Sequence, residues 1–318
     1  MKSSRTTGTQ VAGTRPRWRP RLSLSHRRMM WAYIFLLLPF AYLTAVRYIP
    51  TFVSLNMSLR QWSVLSPAKP WVGLDNFTRL IGDARFYKVL RNTLTIAAIS
   101  VPAQIVLSFV VANLLNRVTH LRGLYRLLYF VPFMTMGTAV ARVWKMAYVP
   151  HVGTFNTALG LLGLPPQPFL QSPEQALYCV ILVVIWQSMG WATVIMLAGL
   201  NQIPGVFYEA AQLDGASSRQ MLWHITIPLL NPTFVFLLIT ATIHAVQVFT
   251  LPFMLSSDMG HNPGGPLDAT RTLVLHIYDY GFRRYEMGYA AATTVFMLAM
   301  MIVLSLAQLR LASRQVEY

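Results

Sequence analysis

Long runs of apolar residues dominate the hydrophobic and polar pattern of this chain. A bilayer core of roughly 30 Å needs about 20 mostly apolar helical residues, because the hydrocarbon offers the backbone no hydrogen-bond partners. Six stretches meet this need: 29–48, 92–116, 127–144, 176–200, 232–255 and 287–309. The third has the fewest uncharged residues, since Arg142 interrupts it. The pattern predicts an all-α, polytopic membrane protein with six transmembrane helices.

The basic residues between these stretches indicate how the chain is oriented. Cytoplasmic connections carry an excess of Lys and Arg. The connection after the second stretch carries Arg117, Arg122 and Arg126 without an acid, whereas residues 149–175 carry neither Lys nor Arg. The first connection is therefore predicted to be cytoplasmic and the second external. With an even number of helices, both termini are then cytoplasmic.

One connection departs from this rule. Residues 51–91 have to be external in the predicted topology, yet they carry six basic residues. The rule holds best for short loops, and this connection has about forty residues, which is long enough to weaken it. We therefore expect the connection to be external in spite of its charge.

The ends of the chain differ from its middle. Residues 1–28 hold eight of the 26 Lys and Arg residues and are also rich in Pro, which predicts a disordered, basic cytoplasmic arm. Residues 29–312 form the predicted membrane domain, and 313–318 form a short cytoplasmic tail. The first apolar run begins too late for a cleavable signal peptide and lacks a small-residue cleavage site. It is predicted to be a retained helix.

Composition supports the membrane class and argues against other classes. Hydrophobic residues make up 55% of the chain and charged residues 11%, too little polar material for a large water-soluble surface. The net charge of +16 does not indicate nucleic-acid binding, because the basic residues form no patch beside stacking aromatic residues. The one cysteine, Cys179, lies in an apolar stretch, so neither a disulfide framework nor a thiolate metal site is expected. We expect no cofactor.

The connection between the fourth and fifth predicted helices, residues 201–231, is too polar to span a membrane and too regular for a loose loop. Val206, Ala210 and Leu213 recur at helical spacing, and Pro204 suits the first turn of that helix. The pattern predicts a short helix in the first half of this segment.

Capping signals divide the same segment into two short helices. Gly215 is placed to end the first helix in a left-handed conformation. Ser217, followed three residues later by Gln220, has the form of a capping box for the second helix. A rigid helical turn of this kind is suited to transmitting force.

The surface of this turn can be interpreted in two ways. By periodicity alone it fits an amphipathic helix on lipid headgroups equally well. Glu209 and Asp214 lie on its polar edge, however, and Arg219 is its one cation, so anionic lipid would repel it. Ala210 and Ala211 leave the backbone accessible to a close approach, which favours a protein partner.

Several residues of this segment also carry a family motif. They are Glu209, Ala210, Ala211, Asp214 and Gly215, followed by Ile225, Pro228 and Leu229. In type and spacing they resemble the EAA loop of permease subunits in binding-protein-dependent ABC importers. The segments that begin at Trp71 and Val152 are similar to sugar-importing permeases of the maltose and glycerol-3-phosphate type. The resemblance covers roughly residues 29–312.

The resemblance implies a mechanism and a set of partners. In that family the EAA loop forms a coupling helix that docks in a cleft of the ATPase subunit, and the residues from Glu209 to Gly215 are the matching element here. The chain has no phosphate-binding loop, because none of its four lysines follows a glycine, so ATP hydrolysis is expected on a separate ATP-binding cassette dimer. The resemblance also implies a second permease subunit in a heterodimer, an extracytoplasmic solute-binding protein, and a bacterial inner membrane.

Polar residues inside the predicted spans are candidates for the substrate path, because their burial in lipid is costly. The candidates are Gln187, Trp191, His244 and Gln247, with Ser188 and Trp186 beside them. Each of them has an ordinary structural alternative. A lone polar residue often bonds a neighbouring helix, and an aromatic residue near a helix end often anchors it at the interface.

Three other functions remain as alternatives. An ion-coupled secondary transporter is disfavoured because Asp and Glu are absent from all six predicted spans. A membrane enzyme is disfavoured because no zinc-binding His-Glu-x-x-His motif and no clustered acid and base pair is found. A non-transporting membrane anchor is made less plausible by the ordered segment 201–231.

Overall fold

The computed structural model describes residues 24–117, 122–150, 152–256 and 263–313, and within these ranges it is helical, without a β-strand. The all-α prediction is confirmed. The described residues divide into two compact units, one up to Val53 and one from Ser54 onward. The helices are α1 (Leu24–Leu43), α2 (Ile49–Ser58), α3 (Asp75–Gly82), α4 (Ala84–Arg117), α5 (Arg122–Met134), α6 (Gly137–Ala147), α7 (Thr154–Leu161), α8 (Ala176–Gln202), α9 (Gly205–Leu213), α10 (Ser218–Met221), α11 (Ile227–Leu229), α12 (Asn231–Val246), α13 (Thr250–Ser256), α14 (Leu273–Tyr278) and α15 (Met287–Ser313). Turns of π-helix at Thr44–Tyr48, Leu222–Thr226 and Asp279–Arg283 join consecutive helices.

Four continuous helical stretches are long and apolar enough to cross a membrane. They are Arg28–Ser58, Ala84–Asn116, Ala176–Gln202 and Met287–Leu311. Two further spans are possible if each of two bent helix pairs crosses once: Gly123–Met134 with Gly137–Ala147, bent by 93°, and Ser218–Leu229 with Asn231–Val246, bent by 61°. The described chain is therefore multi-pass with four to six spans, and the count of six stays a prediction.

The third predicted span is broken at Thr135 and Met136, where α5 ends and α6 begins. The prediction of one continuous helix was wrong here. Pro132 cannot donate a backbone hydrogen bond to the preceding turn. The break frees the carbonyl oxygen of Thr135, which accepts a hydrogen bond of 3.3 Å from Nε2 of Gln187.

The fifth predicted span, 232–255, is also broken. Helix α12 ends at Val246, and α13 begins at Thr250. Pro252 has no N–H with which to bond the carbonyl oxygen of Val248. The hydroxyl of Thr272 donates to that oxygen at 3.0 Å, so the interruption is stabilised by a residue far along the chain.

Apolar clusters show how α4, α8 and α12 pack. Ala112 near the end of α4 lies in one cluster with Leu200 at the end of α8 and Leu237 in the first half of α12. Val101, earlier in α4, lies in another cluster with Ala245 at the end of α12. Helices α4 and α8 therefore run parallel, and α12 runs antiparallel to both.

Two connections meet at the end of the bundle where α4 begins. We call this region the polar cap and define it as residues 59–93 together with 263–286. Arg85 Nε lies 2.6 Å from Asp268 Oδ2, and Arg79 Nη1 lies 2.5 Å from Glu286 Oε2. These ion pairs explain part of the unexpected basic charge of residues 51–91, since acids of the later connection compensate it.

The interior of the polar cap contains a buried ion network around Arg271, whose side chain is 2% exposed. Its Nε lies 2.6 Å from Asp268 Oδ1, and its Nη1 lies 3.1 Å from Asp279 Oδ2. Asn92 of α4 donates to the carbonyl oxygens of Asp268 and Arg271 at 2.9 and 3.1 Å. The network fastens the last connection to the first turns of α4.

His276 is fully buried in the same cap, and its ring forms a cluster with those of Tyr280 and Tyr289, at centroid distances of 4.6 and 5.9 Å. Neither ring nitrogen has a hydrogen-bond partner among the described residues. Burial lowers the pKa of His276 from its ordinary value of 6.5 to about 4, and the positive charges of Arg271 and Arg85 add to this, while Asp83 and Asp279 oppose it.

This buried imidazole predicts a defined acid sensitivity. Between pH 6.5 and 4 the unfolded chain binds a proton that the folded chain does not, so the free energy of unfolding falls as the pH falls. In His276→Phe this loss is expected to disappear, because the apolar ring takes up no proton. The measurement is the thermal unfolding midpoint of purified wild type and variant across this range.

The carboxylates of the cap provide the internal control for that experiment. Burial alone would raise the pKa of Asp83 and of Asp268, but hydrogen bonds from Tyr289 and Arg85 outweigh it, and both pKa values lie below 3.8. Because these carboxylates are present in both, the wild type and His276→Phe should lose stability together below about pH 4. Equal slopes for both proteins above pH 4 would contradict the assignment to His276.

Candidate functional site

The segment with the family motif lies at the end of the bundle opposite to the polar cap. The segment follows the C-terminal end of α8, and α12, which begins after it, packs beside Leu200 at that end. The polar cap lies at the N-terminal end of α4, which runs parallel to α8. Helix α9 begins at Gly205, so Pro204 is the residue before the helix and not in its first turn. The prediction was one residue too early.

The end of α9 has the geometry that the sequence indicates. Gly215 has a φ of +76°. Its N–H bonds the carbonyl oxygen of Gln212 at 3.1 Å, and the N–H of Ala216 bonds that of Ala211 at 2.9 Å. These two bonds are those of a Schellman motif, in which glycine is the residue that adopts the left-handed conformation most easily.

The second short helix begins with the predicted capping box. The side chain of Ser217 accepts a bond from the N–H of Gln220, and the side chain of Gln220 accepts one from the N–H of Ser217. Tyr208 of α9 bonds the hydroxyl of Thr226 at 3.0 Å. This contact joins the first short helix to the π-turn that follows the second, as a rigid projection requires.

The candidate coupling residues lie together on this projection. Glu209, Ala210, Asp214 and Gly215 are exposed, and Ala211 is half-buried. Large apolar side chains of the same projection are also exposed: Val206 by 61%, Phe207 by 47%, Leu213 by 90% and Trp223 by 58%. An exposed apolar surface with acids at its edge is suited to protein contact.

A cavity of about 440 Å³ lies in the middle of the bundle. Gln187 and Trp191 of α8 and His244 of α12 line it, so the structure brings three of the four substrate-path candidates together. The ring centroids of Trp191 and His244 are 5.9 Å apart. The fourth candidate, Gln247, lies elsewhere, because its Nε2 approaches Sδ of Met301 at 3.6 Å.

Both helix breaks open onto this cavity. Gly137 at the start of α6 lines it, and so do Val248 and Thr250 on either side of the second break. Interrupted membrane helices expose backbone groups only where protein or a polar cavity covers them. The interruptions therefore mark the cavity as the polar centre of the bundle.

Sequence reasoning missed other residues that line the cavity. They are Ser100, Gln104, Phe133, Phe249 and Thr250, with Ser188 already noted beside Gln187. Ser100 and Gln104 could have been found, because they are polar residues one helical turn apart in a predicted span. Trp186 points elsewhere and packs on Trp144 at a centroid distance of 5.5 Å.

The lining indicates what the cavity is able to bind. The described residues that line it carry hydroxyl, amide and imidazole groups, three aromatic rings and smaller apolar side chains, and none of them is Lys, Arg, Asp or Glu. In the described ranges, no group of three His, Cys, Asp or Glu residues is placed to hold a metal. The cavity offers hydrogen bonds and flat apolar faces to an uncharged polar solute.

The fold and the cavity define a multi-pass helical transport protein. Residues 77–317 match the family model described as "Binding-protein-dependent transport system inner membrane component". The chain belongs to this family and is the membrane-spanning permease subunit of an ABC importer.

Individual relatives match over most of their length. The chain is 34% identical over 283 residues to "Probable ABC transporter permease protein YurN" of Bacillus subtilis, covering 87% of this chain and 94% of the relative. It is 30% identical over 277 residues to "Trehalose/maltose transport system permease protein MalF" of Thermococcus litoralis, covering 87% and 92%.

A solved structure shares the fold. It is titled "Crystal structure of bacterial alginate ABC transporter in complex with alginate pentasaccharide-bound periplasmic protein". The match has a TM-score of 0.79 at 25% identity, and it covers 91% of this chain and 96% of the solved one. The chain as a whole thus shares the fold of a chain in a solved ABC importer.

Proposed function

We propose that this chain translocates a sugar or sugar derivative through the cavity between α4, α8 and α12. The observation that carries this proposal is the pairing of polar groups with the rings of Phe133, Trp191 and Phe249 in one uncharged cavity. Hydroxyl groups of a sugar hydrogen-bond to amides and hydroxyls, and its apolar ring faces pack on aromatic rings. Two of the named proteins carry a sugar in their descriptions, trehalose/maltose for MalF and alginate for the solved transporter, which supports the same class of solute.

Energy for transport enters through the projection at α9. The residues from Glu209 to Gly215 dock in a cleft of a separate ATP-binding cassette dimer, which hydrolyses ATP. When that dimer closes on ATP, it moves the projection. Leu230 and its neighbours transmit this movement and change the packing of α8 against α12. The bundle then alternates between inward-open and outward-open arrangements.

The orientation that we propose puts the two ends of the bundle on opposite sides of the membrane. The projection and both termini are cytoplasmic, and the polar cap is extracytoplasmic. Six spans result when each of the two bent helix pairs crosses the membrane once. The chain then lies in a bacterial inner membrane, with its docking element on the side where ATP is available.

Two further partners complete the importer. A second permease subunit, encoded separately, forms a heterodimer with this chain, and the solute path runs between them. An extracytoplasmic solute-binding protein delivers the sugar to the polar cap. A binding protein accompanies the alginate transporter in its solved structure, which supports this assignment.

Uptake by cells tests the proposal. Cells with this chain should import a labelled sugar, cells without it should not, and depletion of ATP should abolish import while an ion gradient persists. Import by the chain alone in proteoliposomes, driven by an ion gradient, would instead establish a secondary transporter.

Two polar residues of α12 allow a matched test of the cavity. His244 lines it, whereas Gln247, one turn later, faces Met301. His244→Leu removes a ring that faces the solute, and the loss of one hydrogen bond of about 0.5–1.5 kcal/mol predicts roughly two- to tenfold slower uptake. Gln247→Leu should leave uptake unchanged. Equal effects of both substitutions would place the solute path elsewhere.

A further inference from the structure

Four aromatic side chains lead from the central cavity toward the outer surface of the polar cap. Phe249 lines the cavity and stacks on Phe253, with ring centroids 5.3 Å apart and planes inclined by 19°. Tyr278 contacts both rings at 5.4 and 5.7 Å. Phe282 follows at 5.6 Å from Tyr278. We call these four residues the aromatic ladder.

The aromatic ladder is not explained by core packing. None of its four members belongs to the three buried apolar clusters that hold the described helices together. Phe249, Phe253 and Tyr278 are half-buried, and Phe282 is 61% exposed. The rings keep accessible surface along their whole course, although the cap beside them contains buried positions such as Leu275.

The ladder is also continuous with the proposed solute path. Its inner end is a wall of the cavity, and its outer end lies in the π-turn Asp279–Arg283 of the polar cap, which is the side where a binding protein would release its cargo. None of the described residues that line the cavity belongs to the polar cap. The ladder therefore connects the cavity wall with an exposed position in the cap.

From this geometry we infer that the aromatic ladder is a carbohydrate-binding track that guides the sugar from the polar cap into the cavity. The inference rests on the proposed function. A pyranose ring presents apolar C–H faces and a polar edge of hydroxyl groups, so its faces pack on successive aromatic rings while its hydroxyl groups remain hydrated. Neighbouring rings lie close enough for a sugar to contact one before it leaves another. The track is uncharged and selects for sugar faces rather than for ions.

Uptake kinetics test the track in cells that express the complete importer from its own genes. The probes are radiolabelled glucose, maltose, trehalose and raffinose. For the sugar that the wild type imports, Phe282→Leu and Phe253→Leu should raise the KM of uptake roughly two- to tenfold, because each replaces a flat ring by a branched chain. The maximal rate and the ATP hydrolysis should change little, since neither residue lies in the coupling projection.

Conservative and matched controls separate stacking from folding. Phe253→Tyr keeps the aromatic ring, so its KM of uptake should equal that of the wild type. Tyr285→Leu removes another exposed aromatic side chain of the same connection, 42% exposed and outside the ladder, and should have no effect. If the wild type imports none of these four sugars, the proposed function fails for neutral mono- to trisaccharides, and the track fails with it. If it imports one and all ladder variants keep its KM, only the track is refuted.

Thiol labelling distinguishes a sugar track from the other occupants of an aromatic surface. In a Cys179→Ser background, Phe282→Cys and Phe253→Cys should react with a water-soluble maleimide, and the transported sugar should slow the reaction. Leu267→Cys, at a position 74% exposed and off the ladder, should react equally with and without sugar. If Phe253→Cys does not react with the maleimide, the side chain contacts lipid. If it reacts in the isolated chain but not in the assembled complex, even without sugar, the side chain contacts the second permease. Either result overturns the track.

Discussion

Sugar uptake is expected to fall roughly five- to thirtyfold in Gly215→Val, while the amount of protein in the membrane and its basal ATP hydrolysis remain unchanged. Gly215 has a φ of +76°, where a side chain with a Cβ costs about 1–2 kcal/mol. Apart from its two neighbours in sequence, no described residue has an atom within 4 Å of the position that its Cβ would occupy, so the effect arises from the backbone and not from a clash. The substitution displaces the end of α9, the point at which the ATPase acts.

Two other substitutions make this result specific. Gly215→Asn should retain most uptake, because asparagine tolerates the left-handed conformation better than other side chains. Gly205→Ala adds a methyl group at the other end of α9, where its nearest neighbour is Glu209 Oε1 at 3.8 Å, and should be neutral. ATP hydrolysis and uptake are measured in parallel. Wild-type uptake in Gly215→Val at a normal membrane level would refute the coupling role.

Arg271→Met is expected to lower the free energy of unfolding by about 3 kcal/mol, since it leaves buried carboxylates short of their partner. Asp268 and Asp279 both lie within 3.1 Å of the Arg271 guanidinium, and all three side chains are at most 16% exposed. The guanidinium also fixes the loop whose backbone carbonyl oxygens accept hydrogen bonds from Asn92 of α4. The purified chain should unfold at a clearly lower temperature and lose the packing of the polar cap.

Arg79 provides the matched control. It pairs with Glu286 at 2.5 Å, but its side chain is 55% exposed. Arg79→Met should cost about 0–1 kcal/mol, the usual value of a solvated pair. If Arg271→Met and Arg79→Met lower the unfolding temperature equally, burial does not explain how much the Arg271 network stabilises the fold.

Segments whose structure depends on neighbours in sequence were predicted well. The fourth and sixth apolar stretches begin at Ala176 and Met287, where α8 and α15 begin. The capping box at Ser217 and the left-handed turn at Gly215 were also found, because each is a relation among residues at most five positions apart. The class of protein follows from the same local information.

Contacts between distant residues were not predicted. The break at Val248 is stabilised by Thr272 and the break at Thr135 by Gln187, and no local pattern relates these partners. The location of Gln247 away from the cavity, unlike His244, depends on where α12 ends. An unbroken helix would have directed these side chains differently.

Hydropathy and helix capping are set by residues that are close together in sequence. The sequence alone therefore predicts a membrane protein with a helical projection between its fourth and fifth predicted spans. The cavity, the ion network around Arg271 and the aromatic ladder each join residues from helices far apart in the chain. The cavity exists only once α4, α8 and α12 pack together, the ion network only once residues 268–279 lie against Asn92 of α4, and the ladder only once Phe249 and Phe253 contact Tyr278. In each case tertiary contacts decide which side chains share a site.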